Sequence, residues 1–450
     1  MDPVFRLCRV LLALVVVAAP ALGQEARIGG FLEIDRRLGV SDSVSFADFY
    51  GRFRPEFRVA LDRGADMVMS LDLRFHDFSR AESPDDLEDP GDHFPSTLAV
   101  WEAFVRVPGF LVEPLDVTIG KQRIPWGTAD GLNPTDRFNA HDLSDLTDFT
   151  ARLPTWAARL EYYVAGDWRL DAVWSPTAHG PLMPMGSGAL FSPAAALPAP
   201  TSVARWTQHF VPPHPRLANT QYGVRLSGVL GGLDLSASFF DGFDGLPVVD
   251  RLTLTPLVEP HSTGMLEAHV WSTLPRVRAL GSDFAGEWHG VGLWGEAGLV
   301  FPSPMLVTPH MPDSANTPAP WVALDDDPYA TWSLGGDYTF RRGYYVNLQW
   351  AHGLFFERGA GRLHDYLVGR VERGLLRDAL GVVLEGALEV GDWVYPSHHL
   401  GYGLFPSVEY SPVDNVAFSV GAFLVDGRGT STFRRWGDAD QVYFRVRASF

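Results

Sequence analysis

Acidic residues cluster in one irregular stretch of the chain, and their side chains could bind a metal ion. Residues 123–152 are rich in Gly, Asn and Pro and carry the carboxylates of Asp130, Asp136, Asp142, Asp145 and Asp148. Calcium takes several such oxygen ligands. The stretch lacks the one-three-five Asp spacing and the glycine of an EF-hand loop, so a solvated acidic loop is the commoner explanation. We therefore expect no metal and no cofactor.

Three histidines stand directly before an aspartate, an arrangement that invites comparison with catalytic dyads. They are His76, His141 and His364. Neighbouring residues of a strand point to opposite faces, so such a dipeptide does not form a dyad. A lipid hydrolase would need Ser, His and an orienting acid on one patch. We expect no catalytic residues and no enzyme, and we keep an outer-membrane lipid hydrolase as an alternative.

The N-terminal segment, the cysteine count and the net charge narrow the class of protein. Arg6 and Arg9 precede an apolar run at 10–19 and a small-residue site at 21–23, which predicts a signal peptide over residues 1–23. Residues 24–450 are expected to form a single domain. The one cysteine, Cys8, lies in the signal, so the mature chain forms no disulfide. The net charge of −18 argues against a nucleic-acid partner.

The last residues indicate the fold class. Apolar and polar side chains alternate from Val442 to Phe450, with Arg445 and Arg447 on the polar face. No apolar run approaches the roughly 18 residues of a transmembrane helix. This strand, ending on Phe450 behind a signal peptide, resembles the C-terminal assembly signal of bacterial outer-membrane β-barrels. The resemblance implies an all-β, antiparallel transmembrane barrel in a Gram-negative outer membrane, with lipids, lipopolysaccharide and the barrel-assembly machinery as partners.

Alternating segments and turn signals predict about eighteen strands. The long strand 266–288 is the uncertain one, because Pro275 could split it and residues 252–257 could form a strand of their own. Sixteen strands is the alternative. Segments 177–215, 241–264 and 302–329 are predicted as outer loops. Strand 98–107 is expected to place Trp101 with Val105, opposite Glu102. A barrel of this size is wide enough for an aqueous lumen.

Charged residues on one face of the strands are expected to line that lumen, since charge on the lipid face costs roughly 2–4 kcal/mol at mid-depth. They could pair into ladders that stiffen the wall, or set a field that selects solutes by charge, and both can hold. The predicted lumen-facing residues are Arg52, Arg54, Glu56, Arg58, Asp72, Arg74, Glu102, Arg106, Arg159, Glu161, Arg169, Asp171, Arg445 and Arg447.

The irregular stretch follows a strand, 115–122, that Pro125 cannot extend because proline lacks an N–H. It lies either on the outer rim, held by its own side chains, or bends inward and narrows the pore. We predict an inward-folding loop near 123–152. The residues predicted to form the pore constriction are Gln122, Arg123, Trp126, Asp130, Asn133, Asp136 and Asp142.

The same stretch carries a resemblance. Gly120-x-Gln122-x-x-x-Trp126-Gly127, followed by Asp130-Gly-x-Asn133-Pro134-x-Asp136, resembles the signature of a family of uncharacterised proteobacterial outer-membrane barrels, and the chain is more distantly similar to alginate-export porins. The resemblance implies a porin-like channel. We expect passive or partner-assisted movement of a small or amphipathic solute, with any assisting partner in the inner membrane or periplasm. A non-conducting barrel that anchors partner proteins is a further alternative.

Overall fold

The computed structural model describes residues 25–41, 44–76, 95–164, 166–183, 203–256, 265–311 and 319–450. The predicted signal peptide lies outside these ranges. Within them the chain is almost entirely β-structure. No helix of the described residues is long and apolar enough to cross a membrane.

The described chain forms 23 strands. In order they are β1 (Ala26–Gly39), β2 (Ser45–Ala60), β3 (Asp66–His76), β4 (Ser96–Val107), β5 (Leu115–Gln122), β6 (Thr155–Tyr163), β7 (Arg169–Ser175), β8 (Val203–Phe210), β9 (Gln221–Leu230), β10 (Leu233–Phe243), β11 (Val248–Pro256), β12 (Leu266–Thr273), β13 (Arg276–Trp288), β14 (Val291–Pro302), β15 (Met305–His310), β16 (Trp321–Leu324), β17 (Tyr329–Thr339), β18 (Tyr344–His352), β19 (Asp365–Leu375), β20 (Leu380–Val390), β21 (Leu400–Val413), β22 (Val416–Gly427) and β23 (Gln441–Ser449).

Eighteen of these strands form one closed antiparallel barrel, which confirms the predicted number over the alternative of sixteen. Each barrel strand pairs with the next one along the chain, and β23 pairs with β1 to close the ring. The closure continues past the last strand, because Phe450 N donates to Gly30 O at 3.0 Å. The Phe450 ring also stacks on Phe53, with centroids 6.0 Å apart.

The two ends of the barrel differ in the length of their connections. Short turns, such as 231–232, 289–290 and 414–415, join strands at one end, which we call the short-turn end. The connections at the other end, the long-loop end, include 123–154, 244–275 and 303–328. Short turns at one end and mostly longer loops at the other are the pattern of outer-membrane barrels.

Side chains alternate between a polar interior and an apolar exterior. On β6 the side chains of Trp156, Leu160 and Tyr162 point outward and are 42–48% exposed, whereas Thr155 and Ala157 are buried inside. A soluble protein would bury the large apolar set instead. An apolar outer band around a polar interior is the arrangement of a transmembrane β-barrel.

The other five strands form a separate mixed sheet at the long-loop end, in the order β16-β15-β11-β12-β8. Its core contains Leu254, Val270 and Val307, which are almost fully buried. This corrects the sequence prediction, which left most of these residues in loops and treated 266–288 as one strand. The chain leaves the outer sheet after β12 and enters the barrel at β13, with Pro275 between them, where a missing N–H costs no ladder hydrogen bond.

Trp101 also differs from the prediction. Ser70 pairs with Glu102 while Leu71 pairs with Val100, so Trp101 is the extra residue of a β-bulge. A bulge shifts the alternation by one residue. Trp101 therefore turns to the lumen, where its ring lies 3.6 Å from the guanidinium carbon of Arg54.

Candidate functional site

The connection between β5 and β6, residues 123–154, is the segment that we call the inner loop. Asn139 holds both of its ends together, because its Oδ1 accepts from Ile124 N at 2.8 Å and its Nδ2 donates to Leu153 O at 2.8 Å. Next to this junction, Trp126 Nε1 donates to Asp171 Oδ2 on β7 at 3.2 Å. Ile124 and Trp126 are almost completely buried. The two ends of the inner loop are therefore bonded to each other, and its first residues are packed in the barrel core.

Further along, the inner loop wraps around one carboxylate, that of Glu296 on β14. Glu296 accepts hydrogen bonds from the backbone N–H groups of Thr128 and Ala129, from Asn133 Nδ2 at 3.0 Å and from Thr135 Oγ1 at 2.9 Å. Backbone donors that converge in this way form a cradle for an anion. Gly127 has φ +102°, and a side chain there would collide with the Glu296 carboxylate. This explains why the stretch needs glycine beside Trp126.

The inner loop then returns across the lumen to the opposite wall. Asp142 Oδ2 accepts from Arg74 Nη2 of β3 at 2.8 Å. Asp145 lies 2.9 Å from Arg37 of β1 and also pairs with Arg445 of β23. Burial disfavours a charged carboxylate, but the two arginines outweigh it and hold the pKa of Asp145 well below its usual range. These contacts join the inner loop to strands on both sides of the barrel seam.

The five aspartates of the inner loop do not converge on one point. Asp130 accepts from Asn347 on β18 at 2.9 Å, and Asp136 lies 3.4 Å from Arg152. Asp142 and Asp145 are paired with wall arginines, and Asp148 caps its own turn through Thr150. The expectation of a solvated acidic loop is therefore wrong for Asp136, Asp142 and Asp145, whose carboxylates are held in ion pairs. Burial, opposed by Arg152, raises the pKa of Asp136 from 3.8 to about 6.

The first two residues of the predicted constriction form hydrogen bonds with residues of the barrel wall. Gln122 is buried, and its Nε2 donates to the backbone oxygens of Thr118 and Ala157. Arg123 is exposed, and its backbone N–H donates to Glu102. In the structure Gln122 therefore joins neighbouring strands, whereas Trp126, Asp130, Asn133 and Asp142 join the inner loop to the wall.

The wall charges form networks. Asp72 accepts from Arg52, Arg54 and Arg74 at 2.7–3.0 Å. Further pairs link Arg159 to Asp171 and Glu161, Arg169 to Glu161, Arg445 to Asp35, and Arg447 to Glu33. Arg58 with Glu56 and Arg106 with Asp66 pair near the short-turn end, where Arg58 and Arg106 remain more than half exposed. Lumen-facing charges thus pair within and between neighbouring strands, as the first of the two roles predicted for them, charge ladders in the wall, requires.

Two anchors were missed from the sequence. Glu296 is the only charged residue of β14, and a lone acid in an otherwise uncharged strand is a signal that could have identified it. Asn139 carries no such signal, because it is one of two asparagines in the inner loop and asparagine is common in loops. Its position between Ile124 and Leu153 is visible only in three dimensions.

Aromatic rings fill the space between the inner loop and strands β18–β22. Phe149 of the inner loop stacks on Trp436 at 5.8 Å and contacts Phe355 and Phe423. Trp436 belongs to the connection 428–440, which contains the short helix Thr432–Arg435. A cavity of about 430 Å³ lies beside these rings.

Histidines near this region do not form a catalytic dyad with the following aspartate. The His141 ring stacks on Phe355 at 3.8 Å, and neither of its nitrogens has a hydrogen-bond partner among the described residues. Burial, with help from Arg152, lowers the pKa of His141 well below its usual value. Asp142 points to Arg74 instead.

One group of side chains in the described part of the chain has the types and spacing to hold a divalent cation. The possible ligand atoms of Glu357, His364 and Glu389 lie within 4.8 Å of one another. His364 Nδ1 is 2.6 Å from Glu389 Oε1, and Glu389 also accepts from the backbone N–H groups of Thr432 and Phe433. Against the effect of burial, the hydrogen bond to Glu389 raises the pKa of His364. Through these hydrogen bonds Glu389 of β20 links the connection 353–364 to the connection 428–440.

The fold and the inner loop define a porin-like β-barrel with a segment packed inside it. The family model described as "Protein of unknown function (DUF1302)" matches residues 58–355, which is more than half of the chain, and the chain belongs to this family. No curated protein matches the sequence.

Solved structures align with most of the chain. OccK8 (OprE) of Pseudomonas aeruginosa aligns with a TM-score of 0.52 and 9% identity over 95% of this chain and 98% of that one. A mutant of the Rh. blastica porin aligns with a TM-score of 0.40 and 11% identity over 95% of this chain and 100% of that one. The likeness to OccK8 supports the barrel fold.

Proposed function

We propose that the protein is an outer-membrane channel that moves a small or amphipathic solute, passively or with a partner, and that the inner loop forms its constriction. One observation carries the proposal: the inner loop is bonded to lumen-facing side chains on strands from around the ring. These are Asp171 of β7, Glu296 of β14, Asn347 of β18, Arg74 of β3 and Arg37 of β1. A segment that contacts both walls must lie in the path of any solute.

The barrel geometry supports the same proposal. An eighteen-stranded barrel is wider than the small barrels whose interior side chains fill completely. The apolar outer band would contact outer-membrane lipids and lipopolysaccharide, and the short-turn end would face the periplasm. Phe450, which closes the seam against Gly30 and Phe53, would be the residue that the assembly machinery recognises.

The alternatives have less support. Among the described residues, no serine hydroxyl is hydrogen-bonded to a histidine ring, so the hydrolase has no positioned serine nucleophile in that part of the chain. A non-conducting barrel that anchors partners would share this fold, and conductance separates it from a channel.

The test is single-channel conductance in planar bilayers for the wild type and for Glu296→Gln. The amide would turn an N–H₂ group toward the donors of the inner loop, which weakens its docking. We expect larger and noisier openings. Glu287→Gln is the matched control, because Glu287 lies exposed on β13 near the short-turn end. A variant with residues 124–153 replaced by a Gly-Ser linker should open widest.

Folding must be checked for each variant by the heat-dependent shift of the barrel on gels. If every folded form, including the linker variant, fails to conduct, the channel proposal is wrong. If the linker variant conducts no better than the wild type, the inner loop is not the constriction.

A further inference from the structure

The cavity between the inner loop and strands β18–β21 has an aromatic end; we call this cavity the lumen cleft. Its volume is about 430 Å³, within the usual range for small-molecule sites of roughly 300–1,000 Å³. Phe149, Phe356, Phe405, Phe433 and Trp436 line it. Several of these rings touch one another, such as Phe356 and Trp436 at 5.2 Å, so they form a continuous aromatic surface.

The opposite end of the lumen cleft is polar. Asn347, Arg370 and Glu385 lie side by side on β18, β19 and β20, because Asn347 pairs with Arg370 and Arg370 with Glu385. Tyr366 precedes Arg370 by four residues on β19, on the side nearer the long-loop end. Asp130 of the inner loop reaches Asn347. The cleft is therefore amphipathic along the barrel axis, with its polar end nearer the short-turn end.

The charges of the polar end do not balance. The carboxylates of Asp130 and Glu385 line this end of the lumen cleft with one guanidinium, that of Arg370. Arg370 already pairs with Glu372 at 2.7 Å and lies 3.7 Å from Glu385. Asp130 is exposed to the lumen and has no ion pair among the described residues. An incoming cation would thus find carboxylates without a matching positive charge.

We infer that the lumen cleft binds amphipathic cations, small molecules with an apolar body and one positively charged nitrogen. The inference rests on the proposed function and names its class of solute. Aromatic faces attract cations and also cover apolar bodies, and carboxylates at the far end favour the same charge. An amphipathic anion would meet repulsion from the same carboxylates.

The test uses three probes of matched length: 4-phenylbutylamine as the ammonium ion, 4-phenylbutanol and 4-phenylbutyrate. Each is added to open wild-type channels, and the concentration that halves the current is measured. We expect the ammonium ion to block at a roughly tenfold lower concentration than the alcohol, with the carboxylate weakest. Equal block by all three, or stronger block by the carboxylate, would overturn the inference.

Variants locate the binding. Asp130→Asn combined with Glu385→Gln should remove the preference for the ammonium ion and leave block by the alcohol. The matched control is Asp326→Asn combined with Glu287→Gln, two exposed residues that do not line the cleft. Phe356→Leu should weaken all three probes together, because it removes ring surface and no charge. If the control pair changes the preference as much as the cleft pair, the site is elsewhere.

Binding is also measured without a membrane, by titration calorimetry of the folded barrel in detergent with the same probes. Preference for the ammonium ion in detergent but no conductance in bilayers would support the cleft while contradicting the channel. Conductance without binding of any probe would support the channel and contradict the proposed binding in the lumen cleft.

Discussion

Two sets of five neighbouring barrel strands, which we call the charged half and the aromatic half of the lumen wall, hold the inner loop in different ways; the other eight strands lie between β4 and β18. The charged half, formed by β1–β4 and β23, presents Arg37, Arg74 and Arg445 to carboxylates of the inner loop. The aromatic half, formed by β18–β22 with the connections 353–364 and 428–440, contacts the inner loop through aromatic rings and a hydrogen bond from Asn347 to Asp130. The lumen cleft lies on the aromatic half.

This difference has a physical consequence. Removing one partner of a buried ion pair leaves an uncompensated charge and costs about 3–5 kcal/mol, whereas a hydrogen bond to a charged group, such as that of Asn347 to Asp130, contributes about 1.5–3 kcal/mol. The polar contacts of the inner loop are therefore stronger on the charged half, whereas apolar packing holds the inner loop on the aromatic half. We expect a solute to pass between the inner loop and the aromatic half.

The largest effect is expected from Asp145→Asn. The change leaves Arg37 and Arg445 sharing only Asp35, so docking of the inner loop should weaken by about 3 kcal/mol. Conductance should rise, and the midpoint of urea-induced unfolding should fall. Both are measured on the same purified barrel.

The matched control is Asp130→Asn, the same substitution in the same loop on the aromatic half. It removes one bond to Asn347, and the amide can replace it, so docking should change by less than about 1.5 kcal/mol. Equal effects of the two substitutions would show that the halves do not differ in strength.

A pH titration sharpens the comparison. Burial raises the pKa of Asp136 from 3.8 to about 6, so the docked loop binds this proton more tightly than the released loop does. Docking should therefore weaken as pH rises from about 4 to 6, by about 3 kcal/mol for two pKa units. The lowered pKa of Asp145 acts in the opposite direction, because its ion pairs are lost only as pH falls below about 4.

Conductance recorded between pH 3 and pH 8 checks this. The wild type should be most closed near pH 4–5 and more open at pH 7. Asp136→Asn should abolish the change between pH 5 and pH 7 and keep the opening in strong acid. A wild-type profile that is flat from pH 4 to pH 7 would contradict the assignment to Asp136.

The sequence was most informative where a single rule governs many residues. Alternation at period two located each of the eighteen barrel strands, because an apolar exterior and a polar interior impose opposite demands on successive side chains. It failed at Trp101, where one extra residue reverses the pattern, and in the outer sheet, where β11 and β12 are not part of the barrel wall.

The attachment of the inner loop was harder to foresee. Asp145 and Arg445 are 300 residues apart, and their contact depends on how the ring closes. The sequence supplies the charges but not the distances between strands. For the same reason Glu296 was passed over, although its isolation in β14 distinguishes it from paired wall charges.

The smallest effect is expected from Trp101→Leu on the charged half. Arg52, Arg54 and Arg74 crowd around one carboxylate, that of Asp72, and the Trp101 ring faces all three guanidinium groups at 3.6–5.7 Å. The negative face of the ring offsets part of the repulsion among the three guanidinium groups. We expect this cation–π contact to contribute about 1 kcal/mol. The urea midpoint should fall slightly, with little change in conductance, because the pair of Arg74 with Asp142 remains. Trp174→Leu on the outer face tests for a general effect of losing an indole. If it lowers the midpoint by the same amount, the cation–π contact contributes nothing, and the charged half is held by its ion pairs alone.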